Sequence, residues 1–455
     1  MSLPDSLSGL FLVAVITFFV ITSSVHLLKT RFNKKPKERN VKGNVLPRTP
    51  GTFCVLDGTE LGLSQQIIEM VTTLTLDEGS EVNIAASWLK QRVHEVLIAN
   101  PWLAGRLCTL KSNQSPTLFV PLNASDDALN KSFSHEVTNN ISECIKDVLQ
   151  SSRSTSSSVN KDEPLWKVTM ITSIKSRETA IVMSLNHVIG DGSTAYQIYG
   201  MLSQAEKVSR LDFGQLRLPF KHQEYIEPSF LTTFLAFAPL APVILGRFLL
   251  FLFRGCKYQL VAQSKIISPA WLEYEKRMYE ETRPKDDPAY ISTNDILVSW
   301  LLSSAPSVTV NVNIRNRTEG VHGTTAGNFV TRLFFSEGDS FGTIRKRITD
   351  TASFKGRHSQ LTSEAPAAKN SFIYTTNLCS FFRELQIPGS SHQFHTINIE
   401  CLDTSFFGTI FMLLLGHRAT MVFYRPSKDA VAVTSYSLCK NDFEIPFPGS
   451  FTYSL

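Results

Sequence analysis

The stretch Ile181-Val-Met-Ser-Leu-Asn-His187-Val-Ile-Gly190-Asp191-Gly192-Ser193 constrains this chain more than any other. It opens as an apolar, β-branched run, the pattern of a strand buried on both faces. Gly190, Asp191 and Gly192 then read as a tight turn. Ser193 leads into Thr194-Ala-Tyr-Gln-Ile-Tyr-Gly-Met-Leu, which predicts a helix capped by a hydroxyl. His187 therefore leaves the end of a buried strand, and Asp191 sits in the bend beyond it.

That geometry suits acyl transfer. A hydroxyl or amine that attacks a thioester must lose its proton as it attacks. A neutral imidazole titrates near working pH, so it can take that proton and return it to the leaving thiol. An aspartate in a tight turn is a poor second base. It serves better by pairing with an arginine and so fixing where the imidazole points. A single histidine is more often a satisfied core or turn residue, but strand, turn and helix around His187 reverse those odds.

A second constellation lies more than a hundred residues on. Tyr290-Ile-Ser-Thr-Asn-Asp-Ile-Leu predicts a helix capped by Ser292 or Thr293. Residues 308–314 alternate as a strand does and run into Arg315-Asn316-Arg317, with Gly327-Asn328-Phe329 shortly after. Read as plain surface residues, both arginines would simply be solvated.

His187-Val-Ile-Gly-Asp191-Gly192 resembles the HxxxDG signature of the chloramphenicol-acetyltransferase-like superfamily. That group includes BAHD acyltransferases, wax-ester synthases and the condensation domains of peptide synthetases. The Ser-Thr-Asn-Asp helix, the strand, Arg-x-Arg and Gly-Asn are similar, in that order, to the second BAHD lobe. Asn100-Pro-Trp-Leu-Ala-Gly-Arg106, after an amphipathic helix at 83–97, resembles the start of the first lobe and implies packing rather than chemistry.

The resemblance implies an α/β protein of two similar lobes, each a mixed sheet flanked by helices, with a tunnel between them. It implies His187 as the base, with Asp191 and Gly192 shaping its loop. Arg315, or failing it Arg317, would pair with Asp191. Thr375 or Thr376, at the end of Phe372-Ile-Tyr-Thr-Thr-Asn377, would steady the oxyanion at the thioester carbonyl. Acyl-CoA is the implied co-substrate, with no permanent cofactor and no metal. The sequence departs from the BAHD pattern at Gln386-Ile387-Pro388-Gly389-Ser390, where Asp-Phe-Gly-Trp-Gly is usual. It departs from wax-ester synthases at Asn186, where a second histidine is usual.

The chain has 455 residues, 43% of them hydrophobic, enough for a large core in two or three domains. A net charge of +5, much of it in one short run, does not imply nucleic-acid binding. Seven scattered cysteines without a Cys-x-x-Cys pair argue against both a disulfide framework and a zinc site.

Residues 9–28 are apolar and long enough to span a bilayer. Lys29, Arg31, Lys34, Lys35, Lys37, Arg39, Lys42 and Arg48 follow, and only Asp5 precedes, which places the body in the cytosol. A single-pass anchor in the endoplasmic reticulum is the expectation. Sequons beginning at Asn113, Asn123, Asn130, Asn140 and Asn316 leave a lumenal body as the alternative. Residues 229–253 form a second apolar segment, broken by Pro239, Pro242, Gly246 and Arg247. A simple crossing there would separate His187 from the second half, so a surface-lying or re-entrant segment is expected, or a buried crossover. Residues 123–162 are polar and serine-rich and read as a mobile loop around a short helix at 141–149.

The expected division is an anchor and basic linker at 1–52, a first lobe at 53–225, an apolar crossover at 226–258 and a second lobe at 259–455. The expected activity is transfer from acyl-CoA to the hydroxyl of a lipophilic acceptor, by a monomer. The alternatives are a catalytically silent membrane-bound lipid-binding protein and a transferase that uses a carrier-protein thioester.

Overall fold

A computed structural model of the chain describes residues 51–55, 66–109, 117–156, 159–213, 261–317, 320–350, 372–399, 417–437 and 451–453. The apolar stretches at 9–28 and 229–253 lie outside these residues. Among the described residues no helix is long and apolar enough to cross a membrane.

The first sheet is built on strand β7 (Glu178–Asn186), buried at every residue after Glu178. It is flanked by β2 (Ile67–Leu76) and β6 (Trp166–Ser173), and helices cover both faces, which is why it reads as a continuous apolar run. On one face lies α1 (Val82–Ala99), whose Ala85, Leu89, Val93, Val96 and Leu97 recur at helical spacing and pack on Met70, Met183 and Leu185. On the other lies α3 (Ile141–Ser156), with Ile141, Ile145, Val148 and Leu149 against Val71, Ile171 and Val182.

The polar stretch at 123–162 is more ordered than its composition implies. It holds α2 (Asp126–Ser132), capped where Ala128 N donates to Ser125 Oγ at 3.2 Å. It also holds β5 (Phe133–Thr138), which pairs in parallel with β6 at the sheet edge. Only one ladder and one face of an edge strand are covered, so no apolar run marks it. The described residues open on β1 (Gly51–Val55). It joins β4 (Thr117–Pro121) and β3 (Arg106–Cys108) in a separate three-stranded sheet.

The second sheet contains β8 (Val261–Ile267), β9 (Ser307–Asn313), β10 (Val330–Ser336), β11 (Phe372–Asn377), β13 (His417–Tyr424), β14 (Val431–Ser437) and β15 (Phe451–Tyr453). Their order is β10-β9-β11-β13-β14-β8-β15, with β11 parallel to both neighbours and the other pairs antiparallel. Helices α5 (Pro269–Thr282), α6 (Thr293–Leu302) and α7 (Phe341–Asp350) cover one face, over Val308, Val310, Ile373, Met421 and Phe423. Ser292 precedes α6 as predicted, and its N–H donates to Asp295 Oδ2 at 2.7 Å. Val422, Tyr424, Ala432 and Tyr436 point from the opposite face into the core of the first lobe. One apolar cluster is therefore common to both lobes, beside the second lobe's own core under its helices.

One strand crosses between them. β12 (Ser390–Ile399) belongs to the range expected for the second lobe, yet it is the edge strand of the first sheet, antiparallel to β2. The segment standing in the Asp-Phe-Gly-Trp-Gly position leads into it. Ile387 is fully buried, and Gly389, at φ 67°, makes a turn that favours glycine. Gly389 O accepts from Asp77 N at 2.8 Å.

Ile397 of β12 is fully buried in the first core. Ile397→Ala is expected to cost about 2–5 kcal/mol. Denaturant unfolding followed by fluorescence should show Trp166, in the first lobe, losing its buried environment at correspondingly lower denaturant.

Candidate active site

β7 delivers His187 to the end of the first sheet. The His187 N–H donates to Gln66 O at 2.8 Å, which closes the ladder. Asn186, in place of a second histidine, holds the turn: its Oδ1 accepts from Val188 N at 3.0 Å. The motif helix α4 (Gly192–Met201) follows. Its cap is not the Ser193 hydroxyl but Asp191, whose Oδ1 accepts from Thr194 N at 2.9 Å. A carboxylate reaches back to the third residue of the helix as readily as a hydroxyl and suits the positive end of the helix dipole better.

The other Asp191 oxygen faces the second lobe. Oδ2 accepts from Arg315 Nη1 at 2.7 Å and from Phe329 N at 2.9 Å. Asp191 and Arg315 are both almost completely buried. A guanidinium has five N–H donors, and here all five are engaged. Nε donates to Thr325 O at 2.7 Å, and the second Nη1 hydrogen reaches Asn313 Oδ1 at 3.2 Å. Nη2 donates to Thr194 Oγ1 at 2.9 Å and Gly327 O at 2.8 Å. Gly327, at φ 132°, adopts a backbone conformation that a side chain would strain. Arg317 takes no part in this pairing and donates from Nη1 to Ile348 O at 3.3 Å.

Gly192 serves a different end from the one expected. Its φ is not positive; instead a Cβ there would stand 2.6 Å from Leu378 Cδ2. The glycine lets the end of β11 pack against the start of the motif helix.

Asn328, in the Gly-Asn pair, carries a role that the sequence did not reveal. Its Nδ2 donates to His187 O at 2.8 Å, so its Oδ1, 3.1 Å from His187 Nδ1, must accept. Nδ1 therefore holds the ring proton and Nε2 is left as the bare, basic nitrogen. Burial pushes the imidazole below its usual pKa of 6.5, against the opposing pull of its own backbone, Asp191 and Asn328. A part-exposed ring, neutral at neutral pH and with Nε2 unengaged among the described residues, can take a proton from a hydroxyl.

The two oxyanion candidates separate by strand alternation. Thr375 lies with Ile373 on the helix-covered face, is buried, and donates its hydroxyl to Met421 O at 3.1 Å. Thr376 lies on the opposite face, level with Asn311 and Val422, the face turned to the first lobe.

No family model matches the chain, and no curated protein sequence does. Solved structures do match over most of its length. TRI101 of F. sporotrichioides, complexed with coenzyme A and T-2, has a TM-score of 0.54 at 14% identity, covering 86% of this chain and 95% of that one. Polyketide synthase associated protein 5 from Mycobacterium tuberculosis has a TM-score of 0.52 at 12% identity, covering 87% and 95%. The first condensation domain of the calcium-dependent antibiotic synthetase, in complex with a substrate analogue, has a TM-score of 0.52 at 12% identity, covering 85% and 91%. The chain shares the fold of these solved structures. Within it His187, Asp191 and Arg315 meet where the two lobes join.

Arg315→Met removes one member of a buried, fully bonded pair and leaves the Asp191 carboxylate without its cation. The expected loss of stability is about 3–5 kcal/mol, measured by chemical denaturation. Arg317→Met, by contrast, is expected to cost less than half as much.

Proposed function

We propose that this protein is an acyltransferase that moves an acyl group from acyl-CoA to the hydroxyl of a lipophilic acceptor. The observation that carries this reading is a half-buried imidazole at the lobe junction whose Nδ1 is committed to Asn328, leaving Nε2 to act as a base. Nε2 takes the acceptor's hydroxyl proton as the oxygen bonds to the thioester carbonyl carbon. The tetrahedral intermediate then collapses, the carbon–sulfur bond breaks, and the imidazolium returns the proton to the departing thiolate. Asp191 and Arg315 stay charged throughout and hold the loop. Thr376, on the face turned to the first lobe, is the hydroxyl we assign as donor to the oxyanion.

The likeness in fold to TRI101, whose structure holds coenzyme A and T-2, supports a coenzyme A donor and a hydroxyl-bearing acceptor for this chain. Its lipophilic character is argued from the apolar segments at 9–28 and 229–253. With the basic run that follows the first, these support a membrane-anchored protein with its catalytic body in the cytosol, and a monomer on the endoplasmic reticulum completes the reading.

His187→Ala is expected to lower turnover by about 10²–10⁴-fold with the fold retained. The readout is mass spectrometry of acyl products formed by wild type and variant from a panel of acyl-CoA donors and long-chain alcohols. Because burial depresses the imidazole, kcat/KM should hold through neutral pH and fall on the acid side with a midpoint below 6.5. Wild-type protein that binds lipid but transfers no acyl group would favour the silent binding protein instead.

Thr376→Val keeps the shape of the side chain and removes its hydroxyl. It is expected to lower kcat by about 10²–10³-fold. Thr375→Val should lower stability and leave kcat nearly unchanged.

A further inference from the structure

A second buried histidine lies behind the motif helix. His395, on the crossing strand β12, has no exposed surface. Its Nδ1 is 3.0 Å from Thr72 Oγ1, on the neighbouring strand β2, and its Nε2 is 3.0 Å from the Tyr196 hydroxyl on α4. The Thr72 hydroxyl also bonds the Tyr199 hydroxyl, one helical turn further along α4. The rings of Tyr199, Tyr196, Phe382 and Tyr424 surround the imidazole, with centroids 5.1, 5.6, 6.0 and 6.4 Å from its own. Desolvation, reinforced by nearby His392, pushes its pKa down to about 3. The ring is therefore neutral, with one N–H and one bare nitrogen, and both have a partner.

This arrangement is costly to assemble, because each of four buried polar groups must find its partner. It ties together the first sheet, the crossing strand and the motif helix, while Tyr424 brings in the second sheet. Tyr196 and Tyr199 lie on the helix whose first turn is capped by Asp191. That helix is thus gripped twice by the second half of the chain, by Arg315 at its start and by His395 in its middle. The bonds from His395 Nε2 to the Tyr196 hydroxyl and from Thr72 to the Tyr199 hydroxyl fix both the rotation of the helix and its position along its axis, which apolar packing alone leaves looser.

We propose that His395 is a positioning residue for His187: by setting α4, it sets the Asp191 cap and with it the direction in which Nε2 of His187 points. The proposal deepens the acyl-transfer reading and rests on it for its kinetic consequence.

Two variants of the full-length protein test it. His395→Phe keeps a ring and removes both bonds, and Tyr196→Phe removes one bond with less disturbance to packing. In protein labelled with ¹⁵N-histidine, wild-type His187, assigned by its loss in His187→Ala, is expected to show one tautomer, protonated at Nδ1. Both variants are expected to show His187 as a mixture of tautomers. In both, kcat should fall about tenfold or more while KM changes less than about twofold. Ring-nitrogen shifts of His187 that match wild type in both variants would overturn the proposal, whatever happens to thermal stability. A mixed tautomer with wild-type kcat would overturn it too. If even wild type transfers no acyl group, the acyl-transfer reading fails, and the ring-nitrogen shifts still decide whether His395 positions His187.

Discussion

The contact between Asp191 and Arg315 is the constraint around which the rest is arranged. Two opposite charges taken out of water lose several kcal/mol of hydration each, and their mutual attraction offsets this only when every remaining donor and acceptor is also filled. Here they are filled. The carboxylate caps a helix of the first lobe with one oxygen and accepts from a side chain and a main-chain amide of the second lobe with the other. The guanidinium spends its remaining hydrogens on Thr194 and on three acceptors of the 313–327 region. Neither lobe can satisfy its half alone. The pair therefore specifies how the lobes meet, and His187 lies at that meeting because its strand ends one turn earlier.

Much of this was legible in the residues. A strand covered on both faces reads as a largely apolar run, as Ala180 to Met183 and Leu185 do, so β7 declared itself. Glycine-rich turns and helical spacing then placed His187, Asp191 and α4. Arg315 was assigned to Asp191 by resemblance, and the geometry agrees. Other features were hidden for physical reasons. Asn328 meets His187 across 141 residues, and nothing local marks an amide whose partner is so distant. Gly192 looked like a turn glycine, but what it accommodates is Leu378, a close approach made by another element. Alternation along β11 tells which threonines share a face, but not which face meets the other lobe.

The crossing strand shows the same limit from another side. A strand's residue pattern does not name the sheet it joins, and β12 carried no mark of the first one. Its neighbours in sequence belong to the second lobe and its hydrogen bonds to the first. The pooled core, with Val422 and Tyr424 packed among first-lobe side chains, follows from this exchange.

A consequence concerns the order in which the chain can mature during synthesis. β2 finds its partner β12 only after more than three hundred further residues have been made. Until then a nascent first half presents the open edge of β2, a template for pairing with other chains. Ribosome-bound intermediates ending before residue 390 should be clients of chaperones that shield strand edges. A release into the native state would then come late and all at once, as the C-terminal segment emerges from the exit tunnel.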